Sequence, residues 1–138
     1  MTSFLLDTNV ISELTKPIPE AQVQAFLTVE TDLWIPAITL YELEFGVQDL
    51  PQGRRRERLH NSILTILSSY ANRIIPLGRQ EAEEAAKLQA IAKSTGSNIG
   101  LADCLIAGTA KVYDLCVVTR NVKDFDPLSV ELHNPWPQ

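Results

Sequence analysis

Four carboxylates in this chain stand where a short apolar run ends or an apolar helix begins, and acids so placed do chemistry when they meet. Asp7 follows the run at the start of FLLDTNVISEL, Glu42 lies in ITLYELEFG, Asp103 in NIGLADCLIAGTA and Asp124 in VVTRNVKDF. If Asp7, Glu42 and Asp103 converge, each pair at ~4 Å repels by roughly 4 kcal/mol at an effective dielectric near 20, so the cluster needs protons or cations. A divalent cation meets that need. The two histidines, His60 and His133, lie in none of these motifs, and Cys104 and Cys116 form no CxxC or Cys/His cluster of zinc spacing. An all-oxygen site selects Mg²⁺ or Mn²⁺ over Zn²⁺.

Each acid also has a local alternative. An aspartate between strand and helix often caps the helix or forms a turn, but Thr8 and Asn9 can each supply that cap, which would leave Asp7 surplus to local structure. Thr39 and Glu42 have the Ser/Thr-x-x-Glu spacing of a capping box. Glu44 is about 200° around the helix from Glu42, so at most one of the two faces a cleft. Asp103 opens an otherwise apolar helix, where either the helix N-terminus favours it or a ligand requires it. Thr119, Asn121 and Asp124 gather a hydroxyl, an amide and a carboxylate just past an apolar run, with an ordinary polar loop as the alternative.

To bring these residues together the chain needs strands that end beside one another. Short apolar runs bordered by polar or turn residues predict strands over Phe4–Leu6, Leu33–Ile35, Arg73–Leu77, Leu115–Thr119 and Val130–Leu132. Helices are predicted over Ala21–Val29, Leu40–Leu50, Arg54–Tyr70 and Leu101–Tyr113, with Pro51-Gln52-Gly53 as a break. Another starts near Gln80: Glu81, Glu83 and Glu84 lie in its first turns, Lys87 and Lys93 toward its end, and Gly96 stops it. Strands separated by helices give a largely parallel α/β sheet, whose ligands collect at the strands' carboxyl ends where strand order reverses. Asp7 and Thr119-Arg120-Asn121 both fall just past such an end. Leu5, Leu6, Ile35, Ile75, Val117 and Val118 are assigned to the core, whereas Trp136, between Pro135 and Pro137, is open between packing and partner contact.

The 138 residues (15.3 kDa) fit a single domain, 1–138, with 45% hydrophobic and 21% charged residues and no repeat. The start, MTSFLLDTN, has no basic n-region and Asp7 interrupts its apolar run, so neither a signal peptide nor a membrane span is expected and the location is the cytosol. Both cysteines are expected reduced and buried. The formal charge of −5 is opposite to that of a protein gripping nucleic acid through phosphate contacts alone. Either the substrate is no polyanion or a cation joins the protein. Arg54, Arg55, Arg56 and Arg58 form the one dense basic run, at the start of a helix where the macrodipole disfavours them, which makes an RNA or partner role as good a reading as a solvated helix end.

Taken together, LLDTNVISEL, IPAITLYELEFGV, GRRRERL, IGLADCLIAGTA, VVTRNVKDF and the terminal NPW resemble, in order and spacing, the PIN domains of VapC and FitB type, toxins of type II toxin-antitoxin pairs. The resemblance implies a three-layer α/β/α fold with a central, mostly parallel sheet. It implies Mg²⁺ or Mn²⁺ held by Asp7 and Asp103, with Glu42 directly or through water, and Thr8, Asn9 and Thr119 orienting the ligands. The family's fourth acidic position falls at or near Asn121, an amide here, while Asp124 stands one helical turn later. The implied reaction is hydrolysis of RNA phosphodiesters by a metal-activated water, leaving 5'-phosphate and 3'-hydroxyl ends. The implied partners are the RNA substrate, a second copy in a homodimer and a smaller antitoxin that wraps the protein, pushes a basic side chain into the acidic site and builds larger assemblies; no membrane is involved.

Two other readings compete. A phosphatase of the haloacid-dehalogenase type also starts with an aspartate after its first strand, but needs a second two residues on, where this chain has Asn9. A PIN-like RNA-binding module with weak catalysis is the other, suggested by the amide at Asn121.

Overall fold

The apolar runs become five strands in the computed structural model, which describes residues 2–138: β1 Phe4–Leu6, β2 Leu33–Pro36, β3 Ile74–Ile75, β4 Cys116–Val118 and β5 Leu132–His133. They form one sheet in the order β3-β2-β1-β4-β5, and every neighbouring pair is parallel. Leu5 stands in register with Trp34 on one side and Val117 on the other. Side chains alternate along a strand, so Phe4, Leu6, Leu33, Ile35, Cys116 and Val118 face one layer while Leu5, Ile75 and Val117 face the other.

Helices cover both faces. On the first lie α1 Thr8–Leu14, α2 Ala21–Val29, α3 Ala37–Gln48 and α4 Arg54–Ser68, which contribute Val10, Ile11, Val23, Leu43, Val47 and Ile63. On the second lie α5 Arg79–Ser94, α6 Leu101–Tyr113 and α7 Val122–Phe125, with Ala85, Leu88, Ile106 and Phe125. This is the expected three-layer α/β/α arrangement. The six residues assigned to the core are all buried, and so is Trp136, at 6% exposure, which settles the tail residue as packing.

Several boundaries differ from the sequence reading for local reasons. The third strand is shorter than Arg73–Leu77 because Pro76 has no N–H to continue the ladder. The last strand starts at Leu132 rather than Val130, after Ser129 turns the chain through a left-handed conformation (φ 54°). Helix α3 begins at Ala37, three residues early, with Pro36 as its N-cap. Helix α5 stops as predicted: Gly96 takes φ 91°, its N–H bonds the Lys93 carbonyl at 3.0 Å, and the Ser97 N–H reaches the Ala92 carbonyl at 2.9 Å. That is a Schellman closure.

Helices α5 and α6 touch closely at Gly108, where an added Cβ would lie 2.6 Å from the Ala85 backbone nitrogen. At the strands' amino ends, Asp32 gathers the Ser3 hydroxyl, the Trp34 indole N–H (2.8 Å) and the Arg73 guanidinium (2.6 Å), which ties β1 to the β2–β3 edge. These bonds, the Ser3 one first, hold the Asp32 carboxyl below its usual range. Among the described residues no helix is long and apolar enough to cross a membrane.

Candidate active site

Strand order reverses between β1 and β4, since β2 and β3 lie to one side of β1 and β4 and β5 to the other. Asp7 stands where this crevice opens. Its N–H continues the ladder to the Val118 carbonyl at 3.0 Å, and its Oδ1 accepts the Thr8 N–H at 2.7 Å as the N-cap of α1. The expectation that Thr8 or Asn9 would relieve it of capping is therefore corrected: both lie inside α1, and one carboxylate serves helix and crevice together. The other oxygen, Oδ2, accepts the Thr119 hydroxyl at 2.8 Å and the Asn9 side-chain amide at 3.3 Å. Burial pushes the Asp7 pKa up, the bonds from Thr119 and Thr8 pull it back, and the charges of Glu42 and Asp124 raise it further.

The capping box is also corrected. Thr39 is the third residue of α3, fully buried, and donates to the Leu6 carbonyl at 3.2 Å, so it caps nothing and pins α3 to the end of β1. Glu42, one turn on, is left to accept the Thr8 hydroxyl at 2.6 Å. Glu44 points elsewhere, as the helical angle requires: it is exposed and accepts the Gln48 amide at 2.7 Å.

Asp103, third residue of α6 and half-buried, approaches from the other layer. Its pKa is pushed up to about 6, first by burial and then by the charges of Asp7, Asp124 and Glu42. Four acids thus share one electrostatic neighbourhood. Asp124, exposed on α7, acts on both Asp7 and Asp103, whereas Asn121 contributes its backbone N–H to the Thr119 hydroxyl oxygen at 3.0 Å. Of the two residues near the fourth acidic position, the charge in the cluster comes from Asp124.

The acids meet through their fields and not through a finished cage: among the described residues no three His, Cys, Asp or Glu side chains close around a point that would hold an ion outright. The donors nonetheless are all oxygen. His60 lines a cleft between α3 and α4, the His133 ring stacks on Phe26 at 4.7 Å, and the Cys104 thiol is buried with its pKa raised by that burial. Such a set fits a hard divalent cation and not zinc. Asn9, where a phosphatase of the haloacid-dehalogenase type needs a second aspartate, donates to Asp7 instead.

The arginine run is not part of the cluster. Arg54, Arg55 and Arg58 are exposed on the first turns of α4, and Arg56 bonds Gln48 at the far end of α3, about 9 Å along the helix from Glu42. Arg120, which sequence reasoning passed over between two named residues, does border it: its N–H points to the Asn9 side-chain oxygen at 3.5 Å.

The family model of the PIN domain matches residues 4–128. The chain belongs to the PIN domain family. Over 135 residues this PIN domain is 40% identical to Toxin FitB of Neisseria gonorrhoeae, covering 96% of this chain and 97% of that protein. It is 39% identical over 136 residues to VapC ribonuclease Y4jK of Sinorhizobium fredii, covering 96% of each. Its fold matches the solved structure of FitAB bound to an IR36 DNA fragment with a TM-score of 0.89 and 38% identity, over 98% of this chain and 96% of that one.

Proposed function

We propose that this PIN domain is the toxin of a type II toxin-antitoxin pair, a ribonuclease that hydrolyses RNA phosphodiesters with Mg²⁺ or Mn²⁺. One observation carries the reading: four carboxylates gather at the switch point of the sheet, where burial first and their mutual repulsion second raise Asp7 and Asp103. The chain around them is similar end to end to a named toxin and a named ribonuclease.

In this reading Asp7, Asp103 and Glu42 would hold the ion, which when bound would supply a water of lowered pKa and offset charge developing on the phosphoryl group. Thr119, Asn9 and the Thr8 N–H fix Asp7, and the Thr8 hydroxyl fixes Glu42. Asp124, exposed at the rim, takes the proton of the attacking water. Water attack leaves 5'-phosphate and 3'-hydroxyl ends and needs no histidine. The protein works in the cytoplasm as a homodimer restrained by a cognate antitoxin, a partnership supported by the likeness to FitAB.

The test is incubation of the purified, antitoxin-free chain with a mixed tRNA and mRNA pool, with Mg²⁺, Mn²⁺ or EDTA, beside Asp7→Asn. Cutting that needs the metal and disappears in the variant is expected, with 5'-phosphate on the products. Equal backgrounds in every lane would overturn the reading.

A further inference from the structure

The four acids leave a difficulty that one ion does not remove. An RNA strand brings phosphates on both sides of the one being cut, and the protein that receives them has a net charge of −5. Those flanking phosphates need a fixed cation near the crevice. Lys16 is spent on Glu13 at 2.8 Å, and Arg73 and Arg79 are paired with Asp32 and Glu83. Arg120 makes no ion pair among the described residues and is exposed.

Its place is fixed from two directions. On the backbone side it follows Thr119, the residue that holds Asp7, and its N–H faces Asn9. On the side-chain side its guanidinium lies 5.5 Å above the Trp136 ring. That ring is a firm platform: it is packed into the first-layer core, and the residue's backbone is tied on both sides, its main-chain N–H donating to the Asn134 side-chain oxygen at 2.9 Å and its main-chain carbonyl accepting the Gln138 side-chain amide at 2.8 Å. Strand β5 carries this tail alongside β4, where the Thr119 N–H bonds the His133 carbonyl at 3.0 Å.

A guanidinium held over an aromatic face is attracted by the ring and keeps its N–H donors, the fork that matches a phosphate. Lys123 is also exposed nearby, but no ring holds it.

We infer that Arg120 grips the RNA phosphate next to the scissile one and that Trp136 is the positioning residue that aims it. The inference rests on the ribonuclease reading, and the experiment separates the two. Binding of a fluorescein-labelled single-stranded RNA is measured against salt concentration in an Asp7→Asn background, where nothing is cut, and cleavage kinetics are measured in the active chain. Arg120→Ala is expected to weaken binding on the order of tenfold, to reduce the salt slope by about one, and to raise KM by a larger factor than it lowers kcat. Trp136→Phe retains a ring and is expected to give part of this effect alone and none on top of Arg120→Ala, the non-additivity of a shared interaction. Unchanged affinity and salt slope in Arg120→Ala would overturn the inference and leave the ribonuclease standing. A chain that binds RNA without cutting it overturns the ribonuclease while the binding comparison still judges Arg120; a chain that does neither overturns both.

Discussion

The Thr119 hydroxyl donates to Asp7 Oδ2 at 2.8 Å, joining the ends of two neighbouring strands whose residues are 112 positions apart. The Thr119 hydroxyl oxygen in turn accepts the Asn121 N–H, which leaves the hydroxyl proton for Asp7. Replacing Thr119 by Val keeps the shape and deletes the donor. Thr119→Val is expected to lower Mn²⁺ affinity or RNA cleavage about 10–100-fold, as loss of a partner that orients a metal-binding carboxylate does, while Thr119→Ser keeps most of both. Titration calorimetry with Mn²⁺ checks it, and equal affinities in the Val and Ser variants would refute it.

Asp103 makes a statement about stability. Its pKa rises from 3.8 to about 6 on folding, so between those values the folded chain binds more protons than the unfolded one, and metal-free stability falls as pH rises through that window. Asp103→Asn removes the penalty. At pH 7.5 and without metal the variant is expected to melt roughly 3–5 °C higher, equivalent to about 1 kcal/mol, and to show a shallower downward slope between pH 4 and 6, the part that remains coming from Asp7. A variant that melts lower than the parent would count against a carboxylate held there at a cost by burial and by its acidic neighbours.

Divalent ions and protons compete for the same oxygens. Added Mn²⁺ is therefore expected to raise the melting temperature more at pH 7.5 than at pH 5, where Asp103 is mostly protonated, with apparent affinity falling roughly tenfold per pH unit for each proton displaced. Thermal scans over a Mn²⁺ series at the two pH values read this directly. A shift independent of pH would place the ion elsewhere.

Two glycines in helices are expected to respond in opposite directions. At Gly108 a Cβ would meet the Ala85 nitrogen at 2.6 Å and the Glu81 carbonyl at 2.7 Å, so Gly108→Ala must part α5 from α6 and is expected to cost about 1–3 kcal/mol. At Gly46, in α3, a Cβ has nothing within 4 Å, and Gly46→Ala is expected to stabilise by roughly 0.5–1 kcal/mol through helix propensity alone. Urea unfolding of the two variants with unchanged m-values would measure both.

What the sequence disclosed followed from how local each signal was. Phe4–Leu6, Ala21–Val29 and Leu101–Tyr113 have the predicted bounds because apolar periodicity and flanking polar residues are properties of adjacent positions. The capping box failed because Thr39 had a partner 33 residues away, the Leu6 carbonyl, which spacing within a helix does not reveal. Asp7 was credited with one duty and has two, since Thr8 begins the helix. The choice between Asn121 and Asp124 depended on how a four-residue helix turns after β4, and no periodicity exists over four residues. Arg120 and Trp136 are 16 positions apart and meet only because β5 lies beside β4.

The central place of β1 in the sheet also sets a timetable. Strand β1 leaves the ribosome long before β4, its neighbour on one side, and Asp7 waits 112 residues for the hydroxyl that orients it. At ~5–20 residues per second that interval is roughly 6–22 s, during which the growing chain carries its acids unassembled. A nascent chain halted before Thr119 lacks both β4 and the hydroxyl that orients Asp7, so the acids come together only after nearly the whole sheet has been made.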